Sequence, residues 1–445
     1  MNAFERRGAC PALSAPMQTG DGLLVRLNPV AGGLSPKALI GLSDSAARHG
    51  NGIMEVTARG SIQIRGLTMA SAGQLAAEVN ALGIAVRTGV PVETGPLAGL
   101  DAQEIADPRP LAEAIRKAIE RTDLTGKLGP KVSVVIDGGG AVRLDTILAD
   151  IRLVAIEDEG NVKWHLATGG TAITARPLAS LDEADACDAT LTILQAIAAR
   201  GSEGRARDLT ALFLSEASGP AAPPPERHHP TDSIPIGILS LANDAHAAGI
   251  ALPFGSMPAE RIAKLCSEAA ERGAREIRPA PGRTLLFPGL TREACTDLQH
   301  AAQILGFVTE TADPRLHIAA CPGEPACASG RIATRQIAET VASNHAGLLD
   351  GSFTLHISGC AKGCAHPATA ALTLVGGENG AGLVVDGTAK ALPPRYSPRY
   401  EAARGLGRVA ALAGSARHSN ETVAACLARL GDAAITDAFA RLGTD

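Results

Sequence analysis

Two stretches of the chain share one order of apolar and polar segments, and this internal duplication constrains the fold more than any other feature. Residues 21–67 and 236–290 each begin with a short apolar run, continue through a glycine-containing turn, and enter an amphipathic stretch at a proline. Pro36 and Pro258 suit a first helical turn, where the missing N–H has no partner. The pattern predicts two strand–helix–strand–strand units, each followed by a helix, at 71–82 and 292–305.

The duplication divides the chain into two halves. A chain of 445 residues is too long for a single hydrophobic core. A proline-rich stretch, GPAAPPPERHHP at 219–230, is typical of a semi-rigid linker and separates residues 1–218 from 231–445. In both halves a longer α/β segment follows the repeated unit.

Composition and charge exclude several classes of protein. The formal net charge is -5, which argues against a general nucleic-acid or membrane-surface role. We find no run of about 18 apolar residues, so no membrane span is expected. The N-terminal residues do not resemble a secretory signal, and nine cysteines without one argue against a disulfide framework. We therefore expect a cytoplasmic protein whose clustered cysteines bind metal or take part in catalysis.

Four cysteines form two close pairs. Cys321 and Cys327 are separated by five residues and Cys360 and Cys364 by three, and the pairs follow similar apolar runs, LHIAAC and LHISGC. Two such pairs can converge on a four-iron, four-sulfur cluster, whose irons each need a thiolate. A zinc site is the first alternative, although its pairs are usually separated by about two to four residues. Unligated cysteines are the second alternative.

The other cysteines have a simpler interpretation. Cys187, Cys266, Cys295 and Cys426 occupy helical or alanine-rich patterns and are expected to be small buried hydrophobic residues. The role of Cys10 stays open, since this residue either caps the first domain or lies near the site.

The cysteine spacing on a duplicated chain resembles the sulfite and nitrite reductase hemoprotein family. The resemblance implies an α+β fold of duplicated ferredoxin-like half-domains and two larger α/β lobes with pseudo-twofold symmetry. It also implies that Cys364 occupies the position that bridges the cluster to sirohaem. The expected regions are 1–82 (first half-domain), 83–218 (first lobe), 219–230 (linker), 231–308 (second half-domain) and 309–445 (second lobe with the cluster cysteines).

The same resemblance points to a basic pocket. The segment TARGSIQIR at 57–65 is similar to the family's Thr-x-Arg-Gln-x-x-Gln, and LGPK at 128–131 to its Leu-Pro-x-Lys. It implies that Arg59 and Lys131 are catalytic and that Arg59, Gln63, Arg65 and Lys131 bind substrate. Arginine binds carboxylates with two parallel hydrogen bonds, and lysine offers a mobile charge. Arg59 and Arg65, six residues apart, are expected to share a strand face.

Further basic candidates rest on their positions in the repeats alone. They are Arg26, Arg278 and Arg283.

Several positions depart from the reductases. An expected arginine falls near Val90, and the second expected lysine is Ser133. These differences, together with GPLAGLD at 95–101 and SGCAKGCAHP at 358–367, resemble the precorrin-3B synthase family. That resemblance implies an oxygen-dependent monooxygenase acting on precorrin-3A in aerobic cobalamin biosynthesis, hydroxylating C20 and closing a γ-lactone.

The resemblance also implies a mononuclear non-haem iron with unknown ligands, for which His317, His356 and His366 are candidates. The glycine-rich segments lack the strand–GxGxxG–helix context of a dinucleotide site, so a separate reductase is the expected external electron donor. Two other functions stay open. One is a sirohaem-dependent sulfite or nitrite reductase, and the other is a non-catalytic iron–sulfur electron carrier.

Overall fold

The computed structural model describes residues 11–30, 32–218 and 234–441, so the proline-rich segment 219–230 and Cys10 lie outside the described residues. The first repeat contains β1 (Met17–Thr19), β2 (Gly22–Leu27), α1 (Pro36–His49), β3 (Ile53–Val56), β4 (Ile62–Leu67) and α2 (Met69–Ala81). Helix α1 begins where the sequence predicts. Ser35 caps it by accepting a hydrogen bond from the backbone N–H of Ala38, and Pro36 occupies the first turn.

The first lobe follows directly. Its elements are β5 (Val92–Thr94), α3 (Arg109–Arg121), β6 (Val134–Asp137), β7 (Ala149–Asp158), β8 (Asn161–Gly170), β9 (Arg176–Leu181), α4 (Glu183–Ala198) and α5 (Ala211–Ser218). The sheet has the order β5-β6-β7-β8-β9. Its first three strands are parallel and the last two pairings are antiparallel.

The second repeat has the same arrangement as the first. Its elements are β10 (Gly237–Ser240), β11 (His246–Ala251), β12 (Ser256–Pro258), α6 (Ala259–Glu271), β13 (Arg278–Ala280), β14 (Thr284–Leu290) and α7 (Arg292–Ile304). The strand order β10-β11-β14-β13 matches β1-β2-β4-β3, which confirms the predicted duplication. Pro258 is the last residue of β12, immediately before α6 rather than within it.

The second lobe repeats the topology of the first. Its elements are β15 (Ile318–Ala320), α8 (Thr334–Asn344), β16 (Leu355–Ser358), β17 (Ala370–Gly377), β18 (Gly380–Gly387), β19 (Tyr396–Ser397), α9 (Ala402–Ala416) and α10 (Val423–Ala440). The sheet order is β15-β16-β17-β18-β19, again with three parallel strands followed by antiparallel pairings.

The two repeats share one hydrophobic core, while each lobe has its own. Helices α1 and α6 pack together, and buried side chains of both, such as Leu42 and Leu265, belong to the same cluster. Strand β12 of the second repeat also pairs with β3 at the edge of the first sheet. Each repeat therefore buries its apolar face against the other. The residue limits of the domains given in the sequence analysis stay predictions. No described helix is long and apolar enough to span a membrane.

Candidate functional site

Both predicted cysteine loops begin at the same edge of the second-lobe sheet. Strands β15 and β16 are parallel, with Ala320 opposite Ile357. Cys321 follows β15 directly, and Cys360 follows β16 after one residue, Gly359. The backbone N–H of Gly359 donates a hydrogen bond to Sγ of Cys321 at 3.1 Å. The parallel register thus brings the two cysteine loops side by side.

Glycines let these loops approach backbone to backbone. A Cβ added to Gly359 would lie 3.2 Å from the Cα atoms of Gly323 and Gly330 and 3.5 Å from Sγ of Cys321. The N–H of Gly330 donates to the carbonyl of Cys327 at 2.7 Å, and the N–H of Arg331 donates to the carbonyl of Gly359 at 2.8 Å. The Cys327 loop is therefore folded back onto the Cys360 loop.

The thiols differ in their exposure. Cys321 is buried, Cys327 and Cys360 are partly buried, and Cys364 is exposed. Lys362, between the last two, donates from Nζ to Oγ of Ser329 at 2.8 Å, a second bond between the loops. The site therefore opens toward Cys364.

Four cysteines on two adjoining loops supply the number and type of ligands that a four-iron, four-sulfur cluster needs. Each iron of such a cluster takes its own thiolate, so the sulfur ligands do not crowd around one ion. Among the described residues, no group of three or more His, Cys, Asp or Glu side chains is placed to hold a single metal ion.

The remaining described cysteines lie away from this edge. Cys266, Cys295 and Cys426 are buried and Cys187 is partly buried. Burial raises the pKa of Cys266, and it raises that of Cys295 to about 11, so both stay protonated thiols at neutral pH. Such thiols suit a packing role, as the sequence predicts for these cysteines.

The histidine candidates lie in the second lobe. His356 on β16 is fully buried, and neither of its ring nitrogens has a hydrogen-bond partner. Its ring meets that of His366 edge to face, with centroids 5.7 Å apart. Burial, with a smaller contribution from His366, lowers the pKa of His356 to about 4. His317 is partly buried, just before β15.

A buried network of charges connects the first repeat to the Cys327 loop. Arg65 on β4 forms an ion pair with Asp21 at 2.8 Å, and the same guanidinium donates to the carbonyl of Ala326 at 3.1 Å. Burial alone would raise the pKa of Asp21, but its hydrogen bonds to Arg65 and Thr19 outweigh burial and lower that pKa. Arg65 therefore stays charged and fixes the residue before Cys327.

Gln63 belongs to the same network. Its Nε2 donates to one carboxylate oxygen of Glu55, and Arg335 of α8 donates to the other. Arg26 donates to Oε1 of Gln63 at 2.9 Å. No sequence motif marks Arg335 as a site residue. It becomes visible only because α8 begins beside the Cys321 loop, where Thr334 donates its hydroxyl to the carbonyl of Cys321 in a bond of 2.5 Å.

Arg59 and Lys131 lie elsewhere. Arg59 is exposed in the turn between β3 and β4 and donates to the carbonyl of Leu148 in the first lobe. Lys131 is exposed in a turn before β6. The expected shared face of Arg59 and Arg65 is wrong, because β4 begins only at Ile62. The turn directs Arg59 to the first lobe, whereas Arg65 reaches the second.

The first-lobe loops that correspond to the cysteine loops contain carboxylates. Glu104 accepts a hydrogen bond from the N–H of Gly99 at 2.7 Å, and Asp137 at the end of β6 accepts one from the N–H of Leu144 at 2.7 Å. Burial, followed by the neighbouring carboxylates, raises the pKa of Glu104 to about 7. These loops are held by side chain to backbone bonds, so the two lobes share a topology but not a site.

Comparison with known proteins agrees with the fold. A family model for the nitrite/sulfite reductase ferredoxin-like half domain matches residues 15–82. A precorrin-3B synthase from Sinorhizobium sp is 42% identical over 444 residues, covering 98% of this chain and 95% of that protein. The chain belongs to the precorrin-3B synthase family.

This precorrin-3B synthase family member also has more distant relatives that are reductases. A ferredoxin–nitrite reductase from Synechococcus elongatus is 23% identical, over 79% of this chain and 76% of that protein. The solved structure of Mycobacterium tuberculosis NirA protein has a TM-score of 0.71 at 18% identity, covering 93% of this chain and 84% of that one. At this identity the likeness shows the fold alone, and it confirms the predicted α+β architecture.

At two positions where the resemblance to the reductases predicts basic residues, this precorrin-3B synthase family member has an apolar or a buried uncharged residue. Val90 packs against the first-lobe core. Ser133 is buried, and its N–H donates to Oδ2 of Asp150 at 3.3 Å. Neither residue supplies a positive charge to a small anion.

Proposed function

We propose that the chain catalyses the reaction for which its family is named, the conversion of precorrin-3A into precorrin-3B in aerobic cobalamin biosynthesis. The proposed reaction is an oxygen-dependent hydroxylation at C20 with closure of a γ-lactone from the ring A acetate. The observation that carries it is the 42% identity to a precorrin-3B synthase along 98% of the chain. The chain would then be a monooxygenase acting on a tetrapyrrole.

In this proposal Cys321, Cys327, Cys360 and Cys364 hold a four-iron, four-sulfur cluster. When bound, the cluster supplies single electrons, which a separate reductase provides from outside. The glycine contacts and the bond from Arg65 to Ala326 support the assignment because they fix the loops in which the four thiols lie. No step is assigned to a mononuclear iron.

The proposed substrate is rich in carboxylates, which explains the need for basic residues. Arg59 and Lys131 are exposed and are proposed to contact carboxylate arms and to be the catalytic residues carried over from the family resemblance. Gln63 and Arg65 are proposed to border the substrate on the side of the Cys327 loop, while their side chains stay bound to Glu55 and Asp21. The proposed role of Gln63 and Arg65 is to hold the wall of the substrate pocket in place.

The test begins with protein purified without oxygen and analysed for iron, sulfide and bound pigment. We expect iron and sulfide but no sirohaem. Addition of precorrin-3A, isotopically labelled O2 and a reductase should give a product containing one labelled oxygen atom, measured by mass spectrometry. The second atom of O2 leaves as water, with two electrons and two protons from the donor side.

The competing function has a different outcome. Distant likeness to nitrite reductases makes a sirohaem-dependent sulfite or nitrite reductase the alternative. Stoichiometric sirohaem together with rapid sulfite or nitrite reduction would replace the proposal by this alternative. Label entering from water rather than from O2 would overturn the monooxygenase mechanism.

A further inference from the structure

The hairpins of the two repeats meet where the halves of the molecule join. The N–H of Gly282 donates to the carbonyl of Ala58 at 3.1 Å, and the backbones of Arg59 and Pro281 form an isolated antiparallel β-bridge. A Cβ on Gly60 would lie 2.8 Å from the carbonyl carbon of Ala280, so the two turns are in direct contact. Each turn carries one arginine, at 59 and 283. Arg59 reaches the first lobe at Leu148.

Arg283 lies near the second lobe and has no counter-charge. Its side chain is partly buried, and its alkyl part lies against Gly255, where an added Cβ would be 2.8 Å from its Cδ. Within the part of the chain that the structure describes, its guanidinium has no hydrogen bond and no ion pair. Burial, followed by repulsion from Arg335, lowers its pKa. An unpaired charge held near a like charge is energetically unfavourable.

Arg335 has an unsatisfied donor as well. One of its terminal nitrogens donates to Glu55, but its Nε is buried without a hydrogen-bond partner. Glu55 also lies 3.9 Å from Arg65, which is paired with Asp21. The guanidinium groups of Arg65 and Arg335 thus pair with the carboxylates of Asp21 and Glu55. Arg283, whose charged neighbour is Arg335, has no carboxylate of its own.

The backbone at Arg283 supports a functional reason for the residue. The loop between β13 and β14 contains Pro281, Gly282 and Arg283, and the last two have φ values of 77° and 64°. Glycine and asparagine adopt this left-handed conformation most easily, whereas a long side chain costs free energy there. An arginine that is strained and also unpaired is typical of a position kept for a ligand.

We propose that Arg283, together with Arg335, binds one carboxylate arm of the tetrapyrrole and so fixes the macrocycle against the second lobe. This inference rests on the proposed function. A carboxylate between the two guanidinium groups would supply the missing negative charge and an acceptor for Nε of Arg335. Arginine suits this task because its planar fork pairs with both oxygens of a carboxylate.

The decisive variant is Arg283→Gly in the full chain with its cluster. Glycine relieves the left-handed backbone, so the melting temperature should stay unchanged or rise, and iron and sulfide content should be unchanged. The probe is metal-free sirohydrochlorin, a carboxylate-rich tetrapyrrole, followed by absorbance titration. We expect the dissociation constant to increase about 10- to 100-fold, the usual effect of losing a charge-assisted contact. Arg283→Lys should recover part of this loss, since it keeps the charge but not the fork.

Arg275→Gly is the matched control. Arg275 is exposed in a loop of the same repeat, and its replacement removes the same charge. Its dissociation constant should stay close to that of the unmodified chain. Equal affinities of the Arg283→Gly and Arg275→Gly variants would overturn the inference and leave the proposed function intact. Loss of iron in Arg283→Gly would also overturn it, since the residue would then serve the cluster. Failure of the unmodified chain to bind sirohydrochlorin would reject the proposed function and the inference together.

Discussion

At the scale of single residues, burial decides what each charged or sulfur-containing side chain can do. Arg65 was recognised as a basic residue near the site, but its partners come from distant parts of the chain, Asp21 and Ala326. A buried guanidinium needs such partners, because an unpaired one costs several kcal/mol, on the order of 3–5. The spacing of Arg59 and Arg65 contains no information about these partners. The cysteines behave differently, since their spacing directly predicts their shared loops.

The cluster assignment is tested at the same scale. Replacing Cys360 by serine removes one of four thiolates and should sharply lower iron and acid-labile sulfide per chain. Cys187→Ser is the control, because Cys187 lies in α4 of the first lobe, and both contents should stay normal. The measurement is chemical analysis of iron and sulfide after anaerobic purification. Full contents in Cys360→Ser would refute the assignment.

At the scale of elements, the site depends on how two short strands end. Strands β15 and β16 contain only 3 and 4 residues, yet their parallel register places both cysteine loops at one edge. The loops then close through contacts between glycines, which have no side chains to separate the backbones. Both strands lie within the similar apolar runs LHIAAC and LHISGC, which indicate from the sequence alone that the two cysteine loops are related.

Gly359→Ala tests this close approach. The added Cβ would lie 3.2 Å from two Cα atoms, so the loops must move apart, and we expect a loss of about 1–3 kcal/mol in unfolding free energy. Cluster content should fall as well. Gly414→Ala is the control, because a Cβ in α9 meets no atom within 4 Å and should stabilise the helix by about 0.5–1 kcal/mol. The measurements are thermal melting and iron analysis of both variants. Equal stability and iron content of the Gly359→Ala and Gly414→Ala variants would contradict this account of the loops.

At the scale of the whole molecule, duplication produces two pairs of matching sheets, and the two repeats share one hydrophobic core. The repeats join through α1 and α6 and through the pairing of β12 with β3. Neither repeat encloses its apolar face without the other, so their folding is expected to be coupled. The lobes have separate cores, and among the described residues the cysteines at the carboxyl edge of a lobe sheet belong to the second lobe.

Leu265→Ala tests the coupling of the repeats. Leu265 is fully buried in α6, and its truncation should cost about 2–5 kcal/mol of unfolding free energy, measured by denaturant titration. Because the core is shared, amide exchange should accelerate in α1 as well as in α6. Leu212→Ala, at an exposed position, should change stability by less than about 0.5 kcal/mol. Faster exchange in α6 alone would show that the repeats are independent.

The amino-acid sequence alone was enough to predict the duplication, the start of α1 and the two cysteine pairs, because these are local patterns of period, turn chemistry and spacing. The tertiary structure alone decided that Arg59 and Arg65 reach different lobes, that Arg335 lies beside Glu55, and that Arg283 lacks a counter-charge. These facts depend on contacts between residues up to 280 positions apart. Local preferences fix where a strand or helix begins, but the partner of a buried charge is set by which surfaces the packed repeats and lobes bring together.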